Sequence, residues 1–505
     1  MENAFHIVLF PALCYNEKQN MEKFKCNEYG LFHDRNGSWR MRTDNNLTEK
    51  KCDKMKHDLI SGRISTALLA FSGPMVAGNL LQQMYNLADT WIVGRCLGEQ
   101  ALAAVGSTYT LTTLLYSVII GLCMGSGAVV SFYYGKKEEK QLRSCVGLSF
   151  FWIGAVAAIL EIAALCSVSG ILHLLQIPGE ILDMTRSYVT IILTGMLFTF
   201  FYQFYAYLLR ALGNSAVPLL FLGIASVLNI VLDFLFVMYL KMGVSGAACA
   251  TVAAQAFSGI GLAVYALVRE PRLRFSLANL RPEKARVQMI LRMTLGSSIQ
   301  QSVMNFGILL VQGRINSFGT TVMAAFAVAV KIDTLAYMPA QEFANAYSLF
   351  ISQNFGAGKQ ERIRRGTKAA AWTSGLFCSA VSVLVVVFAR QLMQCFVERS
   401  QTDVIAVGMQ YLRTEGAFYL GIGILFLLYG YFRGVNRPEM ALLLTVISLG
   451  TRVVLAYLLS AVHTIGVFGI WIAIPIGWLL ADAVGCFYIR KGSVWNHDTN
   501  HISGR

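Results

Sequence analysis

Asp89 and Asp233 stand out because each carboxylate lies inside a long apolar run of this 505-residue chain. At membrane depth a carboxylate costs roughly 2.5–3.5 kcal/mol on insertion scales, so each must face a protein interior or a watered cavity. Asn229 precedes Asp233 by four residues in Leu-Asn-Ile-Val-Leu-Asp-Phe and shares its helical face. Thr251, in Ala-Cys-Ala-Thr-Val-Ala, offers a hydroxyl. Two carboxylates, an amide and a hydroxyl form an all-oxygen set suited to a hard monovalent cation, and equally to a proton. A purely structural reading has these groups joining neighbouring helices by hydrogen bonds. An acid pair without basic partners is a costly way to do that. The set is present in one half of the chain only, as the repeat described below makes plain.

The helix that carries Asp89 is itself unusual. Pro74 interrupts its backbone hydrogen bonding and can bend it, leaving a carbonyl for neighbouring spans or water to satisfy. The same stretch holds Gln83 and Asn86, and Gln203 sits in a later span. Gln301, Met304 and Asn305, followed by Tyr337, Met338 and Gln341, bring amide, thioether and aromatic groups from the second half. Together these are the candidate walls of a substrate cleft, adaptable enough for flat apolar cations. Glu161, Lys331 with Asp333, Arg413 with Glu415, Arg452 and Asp482 are further charges within spans, readable as ion pairs or interfacial anchors. The opposite charges in Lys331/Asp333 and Arg413/Glu415 are two residues apart and cannot pair side by side on one helix.

Elements that position such groups are legible from composition. The chain is 55% hydrophobic and 14% charged, with mean hydropathy +0.54, which places it among polytopic membrane proteins. Apolar stretches long enough to span fall near 64–93, 101–132, 146–169, 181–208, 216–239, 244–268, 289–316, 320–352, 369–389, 404–431, 440–461 and 466–488. Lysine and arginine concentrate in the connections after even-numbered spans: Lys136 to Arg143, Arg210, Arg269 to Arg292, Lys359 to Lys368, and Arg433 with Arg437. The bias predicts cytoplasmic termini in the cell membrane. It also accounts for the net charge of +14 through the anionic inner leaflet, with no nucleic-acid partner. The eleven cysteines are scattered without a C-x-x-C pair and read as small apolar residues. All seven histidines lie in tails or loops, which argues against haem, intramembrane zinc hydrolysis or a histidine proton relay.

A repeat organises these spans. Asn86, Gly94 and Arg95 recur as Asn305, Gly313 and Arg314 at an offset of 219; Ser131 and Gly135 recur as Ser352 and Gly356 at 221; Gly243-Val244-x-Gly246 recurs as Gly466-Val467-x-Gly469 at 223. Ordered matches at a nearly constant offset mark a duplication. Asp89 aligns with Ile308 and Asp233 with Ala456, so the acids are not duplicated. Six spans per half make the repeats parallel, related by a pseudo-two-fold axis along the membrane normal. The expected fold is an all-α polytopic membrane protein with twelve transmembrane helices in two pseudo-symmetric six-helix lobes. Its parts are an N-terminal lobe over 55–268, a cytoplasmic linker over 269–288, a C-terminal lobe over 289–490 and a tail over 491–505. Residues 1–54, with sequons at Asn36 and Asn46, read as a disordered extension, and the segment from Met55 looks like the natural start.

Several of these motifs carry a resemblance. Pro74 to Gly106, with Leu-Gln-Gln-x-Tyr-Asn-Leu-x-Asp-x-x-x-Val-Gly-Arg-x-Leu-Gly, resembles the multidrug and toxic compound extrusion (MATE) family, closest to its DinF-like branch. So do Arg210-Ala-Leu-Gly-Asn-Ser-x-x-Pro218, Asn229-x-x-x-Asp233, Arg433-Gly-x-Asn436-x-Pro438 and Gly469-Ile-Trp-Ile-Ala-x-Pro475, over about residues 55 to 490. The resemblance implies a secondary antiporter, not an enzyme, that exports cationic or amphipathic small molecules in exchange for inward sodium or protons. It carries a cation or proton site onto Asp89, Asn229, Asp233 and Thr251, with no metal beyond a sodium there, and the bending proline onto Pro74. It further implies no cofactor besides the coupling ion, and action as a monomer in the bilayer. A branch of the family places a cation-binding glutamate in span 7, where this chain has glutamines. The alternative weighed against it is a flippase for a lipid-linked saccharide or other amphipathic lipid, which would want a wide basic cavity.

Overall fold

A computed structural model describes residues 31–33, 39–41, 58–174, 177–275 and 282–491. It divides into Met1–Met55 and Lys56–Arg505. In the first unit, within the stretch expected to be disordered, β1 (Leu31–His33) pairs antiparallel with β2 (Trp39–Met41), with Phe32 opposite Arg40. Both sequons lie outside the described residues.

The second unit is helical throughout. Its first half runs α1 (Ile64–Leu97), α2 (Glu99–Lys136), α3 (Glu139–Leu174), α4 (Gly179–Thr194), α5 (Met196–Ala211), α6 (Ala216–Asp233) and α7 (Gly243–Arg269). Its second half runs α8 (Lys284–Asn316), α9 (Thr320–Gly356), α10 (Gln360–Val387), the short α11 (Ala389–Gln394), α12 (Thr402–Gly416), α13 (Tyr419–Gly434), α14 (Pro438–Ala461) and α15 (Phe468–Arg490). Twelve crossings result, because two of them are broken. α4 and α5 meet at 40°, and α12 and α13 at 53°, each pair making one bent span.

Among the described residues, nine single helices are long and apolar enough to cross a membrane, and the bent pairs raise the number to eleven. The twelfth crossing is α8, a 33-residue helix whose Gln300, Gln301, Asn305 and Gln312 dilute its apolar character. A helix that polar cannot face lipid along its whole length; it packs against α2 and α14. α8 also begins at Lys284, inside the stretch expected to be linker.

The duplication is visible in the backbone. Gly243 and Gly466 both take left-handed conformations, φ 63° and 53°, just before their helices turn in. The bends in spans 4 and 10 fall at corresponding places, near Gly195 and Ala417. Freed backbone groups at such bends need partners in lipid. At the first bend, Glu161 of α3 supplies one, its Oε2 accepting from the Leu197 amide at 3.0 Å. At the second, the Ser382 hydroxyl donates to the Gly416 carbonyl.

Two apolar cores form, one mainly from each half, with α1 giving Leu68, Phe71 and Met75 to the second and α8 giving Ile290 and Met293 to the first. One gathers Val129, Val189, Phe200, Phe204 and Leu262 among others, and the other Phe326, Tyr347, Phe432, Ile474 and Trp471. The halves meet along α2, α8 and α9, where small residues let backbones touch. A Cβ on Gly125 would fall 2.3 Å from the Met293 carbonyl, and one on Gly121 2.4 Å from the Ser298 Cα.

Candidate ion and substrate sites

Asp233 is the last α-helical residue of α6, and a six-residue π-helical stretch, Phe234–Tyr239, follows it directly. The wider π turn shifts the helical phase there, a distortion that recurs at functional sites. Asp233 is fully buried and Asn229, one turn earlier, is 1% exposed. The Asn229 Nδ2 donates to the Thr251 Oγ1 of α7 at 3.5 Å.

Asp89 of α1 comes within side-chain hydrogen-bonding reach of Asp233. Tyr85, one turn before Asp89, and Tyr188 of α4 lie within electrostatic range of both acids. The four residues singled out from sequence therefore converge on one point between α1, α6 and α7. Asp89 Oδ1, Asn229 Oδ1 and both Asp233 carboxylate oxygens are buried without a hydrogen-bond donor. Two adjacent carboxylates cannot both stay charged without a counter-ion or a shared proton, and these donorless oxygens are the ligands such an ion would take. Among the described residues no group of three or more His, Cys, Asp or Glu side chains converges.

The cluster borders a small cavity of about 70 Å³ inside the first half, to which Asn229 and Thr251 contribute, along with Gln203. Gln82 and Tyr85 line it as well, and they share the α1 face of Asp89 at helical spacing. The expected cleft residues Gln83 and Asn86 are rotated off that face. They continue the stripe of Asn79, whose Nδ2 donates to Glu342 Oε1 of α9 at 3.0 Å, and so lie on the side of α1 that meets the second half. Gln301, Met304, Asn305, Tyr337 and Gln341 are half-buried, with Met304 and Tyr337 packed against the second core. Met338 is a correction: at 3% exposure it is part of that core and offers no cleft wall. One residue is a 100° turn of the helix, enough to move a side chain from cleft to core. Pro74 sits inside α1, which remains helical on both sides of it.

Two further polar groups form: the sequence did not single out the first, and it showed the acids of the second without their partners. The first surrounds Glu342, which also accepts from Asn345 Nδ2 at 3.3 Å. Asn345 Oδ1 in turn accepts from the buried Arg433 Nη1 at 3.3 Å, and the same nitrogen reaches Met124 Sδ of α2 at 2.8 Å. An acid in Ala340-Gln-Glu-Phe, at membrane depth, was signal enough to find it. The second lies in the C-terminal half, where Asp333 accepts from Tyr419 at 2.7 Å and from Tyr411 at 3.4 Å. Glu415, 1% exposed, is within hydrogen-bonding reach of Asp333, and Arg452 lies close by. Asp333 thus takes its hydrogen-bond donors from other helices, and Lys331 of its own helix is exposed.

Further side-chain bonds join the halves. Ser298 Oγ donates to Val118 O at 3.1 Å, and Gln353 Nε2 to Ala211 O at 2.8 Å. Ser117 and Ser302 hydroxyls meet at 3.4 Å. All of these lie at mid-depth or toward the end that carries the basic loops.

Twelve crossings in two matched six-helix lobes, with a pair of acids set beside an internal cavity, define a multi-pass membrane transporter. The sequence profile of the MatE family matches residues 74–235 and 294–458, one block in each half. The chain is 30% identical over 440 residues to the probable multidrug resistance protein YpnP of Bacillus subtilis, covering 86% of this chain and 97% of that one. It is 24% identical over 428 residues to the probable multidrug resistance protein NorM of Thermotoga maritima, covering 83% and 90%. A solved multidrug resistance MATE transporter of the MOP superfamily, in an outward-facing conformation, superposes with a TM-score of 0.81 at 26% identity, covering 86% and 98%. The chain belongs to the MATE family.

Proposed function

We propose that this chain is an antiporter that exports cationic or amphipathic small molecules in exchange for inward sodium or protons, with both termini in the cytoplasm and one chain as the working unit. The observation that carries this reading is the pairing of Asp89 with Asp233, with no donor on either Asp233 oxygen, beside a cavity of the first lobe. Charge balance makes that pair responsive to a cation or proton, and its place between α1 and α6 lets the response move α1. With the pair neutralised, α1 is free to bend at Pro74 toward α6, which narrows the cavity lined by Gln82, Tyr85 and Gln203 and expels what it holds.

The arrangement of the cross-lobe bonds supports an outward-facing state. They hold the halves together toward the basic-loop end, which the charge bias assigns to the cytoplasm, and so leave the opposite end to open. Names given to relatives, as multidrug resistance proteins, favour drug-like cargo over a lipid-linked saccharide. The test is efflux of a fluorescent cation from proteoliposomes, with sodium and pH gradients imposed separately. Stimulation by one gradient identifies the coupling ion; no response to either refutes the antiport reading.

A further inference from the structure

On the basic-loop face of the second lobe, a trough of about 1180 Å³ opens between the start of α1, the start of α10 and the end of α15. Its walls combine two chemistries. Ile64, Tyr431 and Ile489 supply apolar surface, and five basic residues of the segment 359–368 supply charge against the single acid Glu361. The corresponding loop of the first lobe, 136–143, has four bases against two acids, so the excess is larger in this lobe.

Two of the five bases are already engaged in structure. Arg362 donates to the carbonyls of Leu59, Ser61 and Gly62, at 3.2, 2.5 and 2.9 Å, and Lys359 donates to Ile60 at 2.9 Å, together clasping the segment that leads into α1. The other three, Arg364, Arg365 and Lys368, share one carboxylate. Glu361 lies 3.3 Å from Arg364 and 2.9 Å from Arg365, with Lys368 acting on it from farther away. Arg364 and Arg365 side chains are 70% and 71% exposed. Along α10, Arg365, Lys368, Trp372 and Leu376 follow at steps of three and four, so they form one stripe. Trp372 and Leu376 are 81% and 74% exposed, as residues turned to lipid are, and tryptophan favours the interfacial layer. Charge at the end of a lipid-facing apolar stripe matches an anionic headgroup with its acyl chains, and a soluble anion would leave the stripe unused.

We propose that this trough is a binding site for an anionic phospholipid of the inner leaflet. The headgroup phosphate pairs with Arg364, Arg365 and Lys368, and the acyl chains lie along Trp372 and Leu376. The bound lipid abuts the clasp that Lys359 and Arg362 form on the start of α1, so occupancy steadies the root of the helix that carries Asp89.

The experiment uses the full chain in detergent and native mass spectrometry, with dioleoyl-phosphatidylglycerol and dioleoyl-phosphatidylcholine as probes. Phosphatidylglycerol is expected to be retained in preference. Each basic side chain beside an anionic surface contributes roughly five-fold, so Lys368→Gln should weaken retention about five-fold and the triple variant Arg364→Gln/Arg365→Gln/Lys368→Gln on the order of a hundred-fold. Lys136→Gln/Lys137→Gln/Lys140→Gln, which removes three charges from the first lobe, should leave it unchanged. Equal loss in that control, full retention in the trough variant, or displacement of the lipid by glycerol phosphate at matched concentration would each overturn the proposal.

Discussion

Ser131 and Ser352 stand 221 positions apart and reach across the lobe boundary in opposite directions, Ser131 Oγ donating to Leu349 O at 3.0 Å and Ser352 Oγ to Ala128 O at 2.7 Å. The pseudo-two-fold axis of the duplication passes between them. Gly135 and Gly356, also 221 apart, mark the same crossing of α2 and α9. A Cβ on either would sit 2.0 Å from a carbonyl oxygen of the other helix, Gln353 and Phe132 respectively. Backbones this close make the crossing a fixed pivot, about which one lobe can rock while the far ends separate.

The pivot predicts a sharp contrast among glycines. Gly356→Ala places a methyl against backbone that cannot move aside, and overpacking of that kind costs about 1–3 kcal/mol or more. Gly450→Ala in α14 meets no atom within 4 Å and should be neutral or slightly stabilising, since alanine is the better helix former. Thermal unfolding in detergent should show a lowered midpoint for the first and an unchanged or raised one for the second.

The acid pair predicts that stability and function separate. Asp89→Asn or Asp233→Asn removes one of two facing charges, so the folded protein should be as stable as the wild type or more so. Ion-driven efflux in the same variants should fall to the level of empty liposomes. Loss of folded protein instead would mean that the pair serves packing, and full efflux in both variants would remove it from coupling.

How far these features could be read from the sequence depends on whether the signal is local. The acid pair was legible because the cost of a carboxylate at membrane depth is a property of the residue itself, and Asn229 with Asp233 repeats at helical spacing. The span count was legible for the same reason, even for α8, whose polarity hides it from an apolarity test. The bends at Gly195 and Ala417 carry no proline, so nothing in their own residues announces them. Glu342 meets Asn79 across 263 positions and Tyr419 meets Asp333 across 86. A sequence shows that a buried acid needs donors without showing which helix brings them. Helical phase also separates two faces of α1, with Gln82 and Tyr85 lining the first-lobe cavity and Gln83 and Asn86 on the side of Asn79, which meets Glu342 of the second half.

The bend in span 4 yields a prediction about Glu161. Its Oε2 is the acceptor for the Leu197 amide, so Glu161→Ala leaves that N–H without a partner in an apolar setting, at a cost of about 1–3 kcal/mol. Glu161→Gln keeps a carbonyl oxygen in place and should retain most of the stability. Equal midpoints for the two variants in thermal unfolding would show that the bond is dispensable.

In the second lobe Asp333 has a donor on each carboxylate oxygen, unlike Asp233 of the first, while Glu415 Oε1 beside it has none. With Tyr411 and Tyr419 donating to Asp333, and Arg452 nearby, Asp333 and Glu415 read as a structural network. Glu415→Gln should therefore leave ion-driven efflux intact, while Tyr419→Phe, which removes the 2.7 Å bond, should lower stability by about 1–3 kcal/mol. Loss of coupling in Glu415→Gln with normal folding would assign the second lobe an ion site of its own.

Charge accounting predicts how voltage enters. One positive charge moving inward across 100 mV releases about 2.3 kcal/mol, which sustains a roughly fifty-fold gradient of a neutral substrate. For a monovalent cation exported one for one, the charges cancel and the potential contributes nothing. In proteoliposomes with a clamped inside-negative potential, set in the direction of ion influx through the transporter, steady-state expulsion of a neutral dye should rise with voltage toward that limit. Expulsion of a monovalent cationic dye should not respond, and Asp233→Asn should flatten both. A voltage response of the cationic dye would mean that more than one charge enters per cycle, and that Asp89 and Asp233 together do not bind a single ion.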